Sequence, residues 1–138
     1  MTLLITYLLL ALVVSCFCSI SEAVLLSVRP SYVAALKNEG NKSAPALHKL
    51  TNNLDRPLAA ILTANTIAHT VGAAGVGAQA LLLFGNKYIG LTSAILTLLI
   101  LVLSEIIPKT LGANYWKQLA PTFAILIDWL TRLLFPFV

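Results

Sequence analysis

Charged side chains are scarce in this sequence. They make up 10% of its 138 residues, where a soluble domain averages roughly 25%. So few charges cannot clothe a soluble surface, which excludes a water-exposed globule. Acidic residues are the scarcest, five against nine basic ones, for a formal net charge of +4. Cysteine is limited to Cys16 and Cys18, inside one apolar run. Neighbours two apart on a helix point to different faces, so no disulfide between them is expected; buried small hydrophobes are the plain reading. No internal repeat or low-complexity tract is present. No nucleophile, base and orienting group fall together, because His69 lacks an acidic partner at helical spacing and the cysteines lie elsewhere; an enzyme is not expected. What is abundant is apolar surface: 59% of residues are hydrophobic and the mean hydropathy is +0.91. Long apolar stretches make a bilayer the natural solvent, and the length allows one domain.

The basic residues are unevenly spread. Arg29, Lys37, Lys42, Lys49 and Arg56 share one segment, Lys109, Lys117 and Arg132 follow the third apolar run, and only Lys87 lies between the second and third. Basic residues flanking apolar spans face the cytoplasm, so this charge speaks of topology and not of nucleic acid. It puts 29–56 and the chain after Lys109 inside, with the 85–90 link and the N-terminus outside. A multi-pass protein of the cell inner (plasma) membrane is expected.

The pattern predicts an all-α integral membrane fold. A first helix is expected over 2–28, ended by Arg29-Pro30, because proline disfavours a helical residue before it. A cleaved leader fits less well. The run has no basic n-region, and it stays apolar past Val13-Val14-Ser15-Cys16, which resembles a lipoprotein cleavage box. Segment 29–56 reads as one or two short surface helices with Leu36, Leu47 and Leu50 as a weak apolar face. A second helix is expected over 57–84, with Pro57 in its first turn. Its stretch Gly72-Ala73-Ala74-Gly75-Val76-Gly77 suits close backbone approach or a break near mid-membrane. A third is expected over 90–112, kinked or stopped at Pro108, and an amphipathic interfacial helix over 115–138. A fourth crossing is the alternative for that last segment, opposed by Pro121 and Asp128.

A charge at bilayer depth costs roughly 2.5–3.5 kcal/mol on insertion scales, so polar residues inside the spans are functional candidates. Ser15, Ser19 and Glu22 fall at i, i+4 and i+7; Asn65, His69 and Gly72 repeat the spacing, as do Glu105, Lys109 and Gly112. Each helix thus has one polar stripe, and turning the stripes inward makes an oxygen-rich pocket beside a carboxylate. The plainer readings are interhelical glue for the serines and Asn65, a carbonyl partner for His69, pairing of Glu105 with Lys109 one turn on, and pairing of Glu22 with Arg29. Hydroxyl, amide and carboxylate oxygens are hard ligands that favour magnesium or calcium over zinc.

At these residues the sequence resembles the transmembrane domain of the CNNM (cyclin M) and CorC magnesium-transport family. Ser15-Cys16-Phe17-Cys18-Ser19-Ile20-Ser21-Glu22-Ala23 resembles its small-polar first-helix motif. Ala60-Ile61-Leu62-Thr63-Ala64-Asn65-Thr66-Ile67-Ala68-His69 resembles its asparagine motif, and Ser104-Glu105-Ile106-Ile107-Pro108-Lys109-Thr110-Leu111 its acidic-proline motif. The resemblance implies three membrane helices with a juxtamembrane helical belt, a homodimer, and magnesium transport often coupled to sodium. It implies an ion site of Ser15, Ser19, Asn65 and Glu105 with a backbone carbonyl near Leu111 or Gly112, and it matches Lys109 to the lysine after proline. Two departures stand out. His69 occupies the place of a second asparagine, and the cytoplasmic CBS domains usual in the family are absent from this chain. Imidazole is a poor magnesium ligand and an ordinary one for transition metals, so His69 either stands off the ion or alters selectivity. As a ligand it would weaken ion binding at low pH, because a protonated ring repels a cation.

The expected function is therefore transport of a divalent cation, magnesium first, through a site between three helices. The rival is a membrane anchor or ion sensor that binds without transporting.

Overall fold

Proline and glycine punctuate the chain into helices. The computed structural model describes residues 1–137, and every regular element among them is helical. Helix α1 (Thr2–Ser27) stops just before Arg29, whose backbone is extended (φ −102°, ψ 146°), and Pro30 then opens α2 (Pro30–Asn38). Helix α2 closes on Gly40 at φ 72°, with Asn41 N–H bonded to Leu36 O at 3.1 Å. That left-handed position is one a side chain would strain. Helix α3 (Ala44–Asn52) follows, then the long α4 (Asp55–Phe84), closed by Gly85 at φ 77°. The Gly72–Gly77 stretch does not break α4, which is helical throughout.

The third apolar stretch is not stopped at Pro108. It comprises α5 (Ile89–Leu99), a π-helical run (Ile100–Ile106) and α6 (Ile107–Asn114). The bonding has already changed register before the proline, since Ile107 N–H bonds Val102 O, five residues back. Pro108 then sits in the first turn of α6, where a missing N–H costs least. After Tyr115 comes α7 (Trp116–Leu133), which buries Ala120, Ala124 and Ile127 on one face.

Three helical stretches are long and apolar enough to cross a bilayer: Thr2–Ser27, Asp55–Phe84 and Asn86–Asn114. The 26 residues of α1 alone reach about 39 Å at 1.5 Å per residue, against a hydrocarbon core of about 30 Å. Large apolar side chains stand bare along all three, among them Val13, Leu82 and Leu98, as lipid-facing residues do. Several hydroxyls in these helices are satisfied at home: Thr6, Ser27, Thr63 and Thr97 each donate to the carbonyl four residues earlier.

The chain divides into two compact units, and each long helical stretch contributes to both. The first comprises Met1–Ser19 and Ala64–Pro108. In it Gly72 lies against Ala11 and Gly75 against the Tyr7 ring, so closely that a methyl group at either place would collide. These glycines serve the close backbone approach that their smallness suggested, within the chain itself; Gly77 faces open space. The second unit comprises Ile20–Thr63 and Lys109–Val138. Here Leu47 and Leu50 of α3 are buried, and α3 packs on α7. Tyr32 donates its hydroxyl to the Lys117 carbonyl and packs edge-on against Trp116, with ring centroids 5.0 Å apart. Burial, with Glu39 adding to it, pushes the Tyr32 phenol up from its ordinary value, which keeps it a donor.

Candidate functional site

The first unit gathers Ser15, Ser19, Asn65, His69, Ser104 and Glu105. Ser15, Ser19 and Ser104 are fully buried, while Asn65, His69 and Glu105 are half-buried. Four groups form a chain. His69 Nε2 lies 2.6 Å from Ser15 Oγ, Ser15 Oγ donates to Ser104 Oγ at 3.0 Å, and Ser104 Oγ donates to the Ile100 carbonyl at 2.6 Å.

Counting hydrogens gives one consistent direction for that chain. A carbonyl only accepts, so the Ser104 proton is committed to Ile100. Ser104 must then accept from Ser15, whose single proton is committed in turn. In that direction Ser15 accepts from His69, whose Nε2 then donates, and the Ser15 oxygen keeps one lone pair. Ser104 was not singled out from the sequence, although its place beside Glu105 and its burial mark it. The signal available was a serine inside a span, the same signal that picked out Ser15.

Ser19 Oγ and Asn65 Oδ1 behave differently from the other polar groups in the spans. Both atoms are buried and neither has a hydrogen-bond partner among the described residues. Ser19 does not turn back to the carbonyl of its own helix as Thr6, Thr63 and Thr97 do. An unmet buried polar atom costs about 1–3 kcal/mol, and here two of them belong to the expected ligand set.

The carboxylates are paired otherwise than helical spacing suggested. Glu105 Oε1 lies 3.8 Å from His69 Nε2, and Lys109 Nζ lies 3.2 Å from Glu22 Oε2. Glu22 thus takes Lys109 and not Arg29, and Glu105 is not neutralised by Lys109. Glu105 stands within the π-helical run Ile100–Ile106, and its basic neighbour comes from another helix, while Lys109 reaches across to Glu22. His69 does have an acidic neighbour, but on another helix, where spacing along one chain cannot reveal it.

Glu22, Lys109, Leu111 and Gly112 belong to the second unit. The Leu111 carbonyl accepts Tyr115 N–H at 2.9 Å. A Cβ at Gly112 would stand 2.9 Å from both Ile20 O and Ala23 Cβ, so that glycine is needed for close helix approach. Among the described residues no three His, Cys, Asp or Glu side chains converge. The first unit's cluster is instead one of neutral oxygens around a single carboxylate.

Three apolar spans with a buried polar cluster define a polytopic helical membrane domain. Residues 4–138 match the family model described as the cyclin M transmembrane N-terminal domain, and the chain belongs to that family. It is 40% identical over 121 residues to the UPF0053 protein sll1254 of Synechocystis, covering 88% of this chain and 35% of that protein. It is 30% identical over 131 residues to a UPF0053 protein of Haemophilus influenzae, covering 95% of this chain and 31% of the relative. The UPF0053 inner membrane protein YfjD of Escherichia coli is 28% identical over 125 residues, covering 91% and 29%. The chain therefore spans about a third of the length of these curated relatives.

Proposed function

We propose that this domain carries a hard divalent cation, magnesium first, across a membrane, binding it with Ser15, Ser19, Asn65 and Glu105. The observation that carries the reading is the pair of buried oxygens without partners, Ser19 Oγ and Asn65 Oδ1, in the same unit as a carboxylate that no lysine neutralises. Neutral hydroxyl and amide oxygens with one carboxylate suit a hard cation. A single carboxylate leaves a divalent ion half neutralised, which favours release as well as capture. Because its Nε2 donates to Ser15, His69 stands off the ion and turns the remaining Ser15 lone pair toward it. Sodium is the proposed coupling ion.

Family membership, and the words inner membrane in the name of one relative, support an inner (plasma) membrane location, and the uneven spread of basic residues supports an N-terminus outside. The relatives' greater length leaves room for the CBS-type cytoplasmic domains implied by the resemblance. A homodimer is proposed on the same ground, with Gly77 the α4 glycine still open to a partner.

Proteoliposomes holding a magnesium-sensitive dye test the reading. Magnesium influx down a gradient, lost in Glu105→Gln, is the expected result. Magnesium binding without flux would favour the sensor, and neither binding nor flux would end both readings.

A further inference from the structure

The second unit holds a cavity that takes no part in the proposed ion site. It has a volume of about 440 Å³ and is lined by Lys49 of α3, Arg56 and Pro57 at the start of α4, Asp128 and Arg132 of α7, and Phe135 beyond it. Three cations from three elements meet one carboxylate. Asp128 serves two of them, Lys49 at 3.4 Å and Arg132 at 3.1 Å. Arg56 has no carboxylate partner among the described residues and lies 4.6 Å over the Phe135 ring. Asp55 precedes Arg56 but does not line the cavity. The guanidinium groups of Arg56 and Arg132 offer fork-like donors that match phosphate oxygens.

The neighbouring surface shows what kind of anion fits. On α7, Ala120, Ala124 and Ile127 are buried, yet Ile125, Trp129 and Leu133 are 57%, 64% and 57% exposed. Spaced four apart, these three make a second apolar stripe on the same helix, adjacent to the row of Asp128 and Arg132. A free phosphate would use the cavity and leave the stripe bare. An amphiphile with an anionic head and apolar tails uses both. We propose that this cavity binds the phosphate headgroup of an anionic phospholipid, whose acyl chains lie along Ile125, Trp129 and Leu133. The site ties α3, the start of α4 and α7 to the membrane surface through one lipid. Asp128 tempers it, holding Lys49 and Arg132 in place while competing with the phosphate.

Native mass spectrometry on the full chain, released from nanodiscs of phosphatidylcholine with or without phosphatidylglycerol, tests this. The expected result is retained phosphatidylglycerol on the wild type, with affinity falling about fivefold in Arg56→Gln and again in Arg132→Gln. Asp128→Asn should retain more of it, although it removes two ion pairs; a merely structural role predicts the opposite. Lys87→Gln, in the link between the second and third spans, should change nothing. Three results overturn the proposal. One is an equal loss in Lys87→Gln, which would mean diffuse surface charge. Another is displacement of the lipid by inorganic phosphate at equal concentration, which would mean a free-anion site. The third is no preference for phosphatidylglycerol in the wild type.

Discussion

The two units of this domain treat a membrane-embedded carboxylate in opposite ways. In the second, Glu22 has Lys109 at 3.2 Å, and Asp128 is shared between Lys49 and Arg132. In the first, the one basic neighbour of Glu105 among the described residues is a histidine at 3.8 Å, and the same unit holds two buried oxygens with no partner. Glu22 and Asp128 are met by lysine or arginine, and Glu105 is met by neither among the described residues. On the proposed function, the difference separates acids that hold helices together from one kept for a ligand, since unmet polarity in a low-dielectric site is costly unless something binds there.

The sharpest way to break that comparison is to exchange the roles. Glu105→Gln should abolish magnesium-dependent thermal stabilisation and flux while leaving the apo protein as stable or more so. Glu22→Gln should do the reverse, keeping magnesium binding and lowering apo stability by about 1 kcal/mol, a figure discounted because Lys109 is 45% exposed. Denaturant unfolding with and without magnesium checks both.

Packing comes next in size. Gly112→Val drives a side chain against the Ile20 carbonyl and should cost about 3 kcal/mol or abolish expression, because backbone cannot yield as a side chain can. Gly72→Leu should act similarly through Ala11. Gly77→Ala, with nothing near its Cβ, should instead stabilise α4 by up to about 1 kcal/mol. Thermal melts of the three variants in one detergent suffice.

Smaller effects probe the hydrogen-bond chain. Ser104→Ala leaves the Ser15 proton without its acceptor and should weaken magnesium binding about tenfold, roughly the cost of one buried hydrogen bond; isothermal titration measures it. Nitrogen NMR of labelled histidine should find the His69 proton on Nε2, and a proton on Nδ1 alone would break the chain. His69→Asn keeps a donor for Ser15, so the ranking of magnesium over manganese and cobalt should move least of all.

Much of this was legible in the sequence. Arg29-Pro30, Pro57 and Phe84-Gly85 mark helix ends through local chemistry, and three apolar stretches of spanning length need no partner to be recognised. Ser15, Ser19, Asn65 and Glu105 stood out because polar groups inside a span are expensive wherever they point. What could not be read was pairing across helices. Spacing along one chain offered Lys109 for Glu105 and Arg29 for Glu22 as the plainer partners, but the observed pairs, His69 with Glu105 and Lys109 with Glu22, each join two helices. Glycine content marked close approach but not the neighbour approached, which for Gly72 and Gly75 is Ala11 and Tyr7 of the same chain.

The central claim is that Glu105, Ser19 and Asn65 are kept unsatisfied for a hard cation. Thermal unfolding of the purified domain against magnesium, manganese, cobalt and sodium, for the wild type, Glu105→Gln and Glu22→Gln, tests it most directly, since a ligand raises stability with its occupancy. The account predicts a magnesium-dependent rise in Tm for the wild type and Glu22→Gln, and none for Glu105→Gln. A rise that survives in Glu105→Gln, or one that vanishes only in Glu22→Gln, would contradict it.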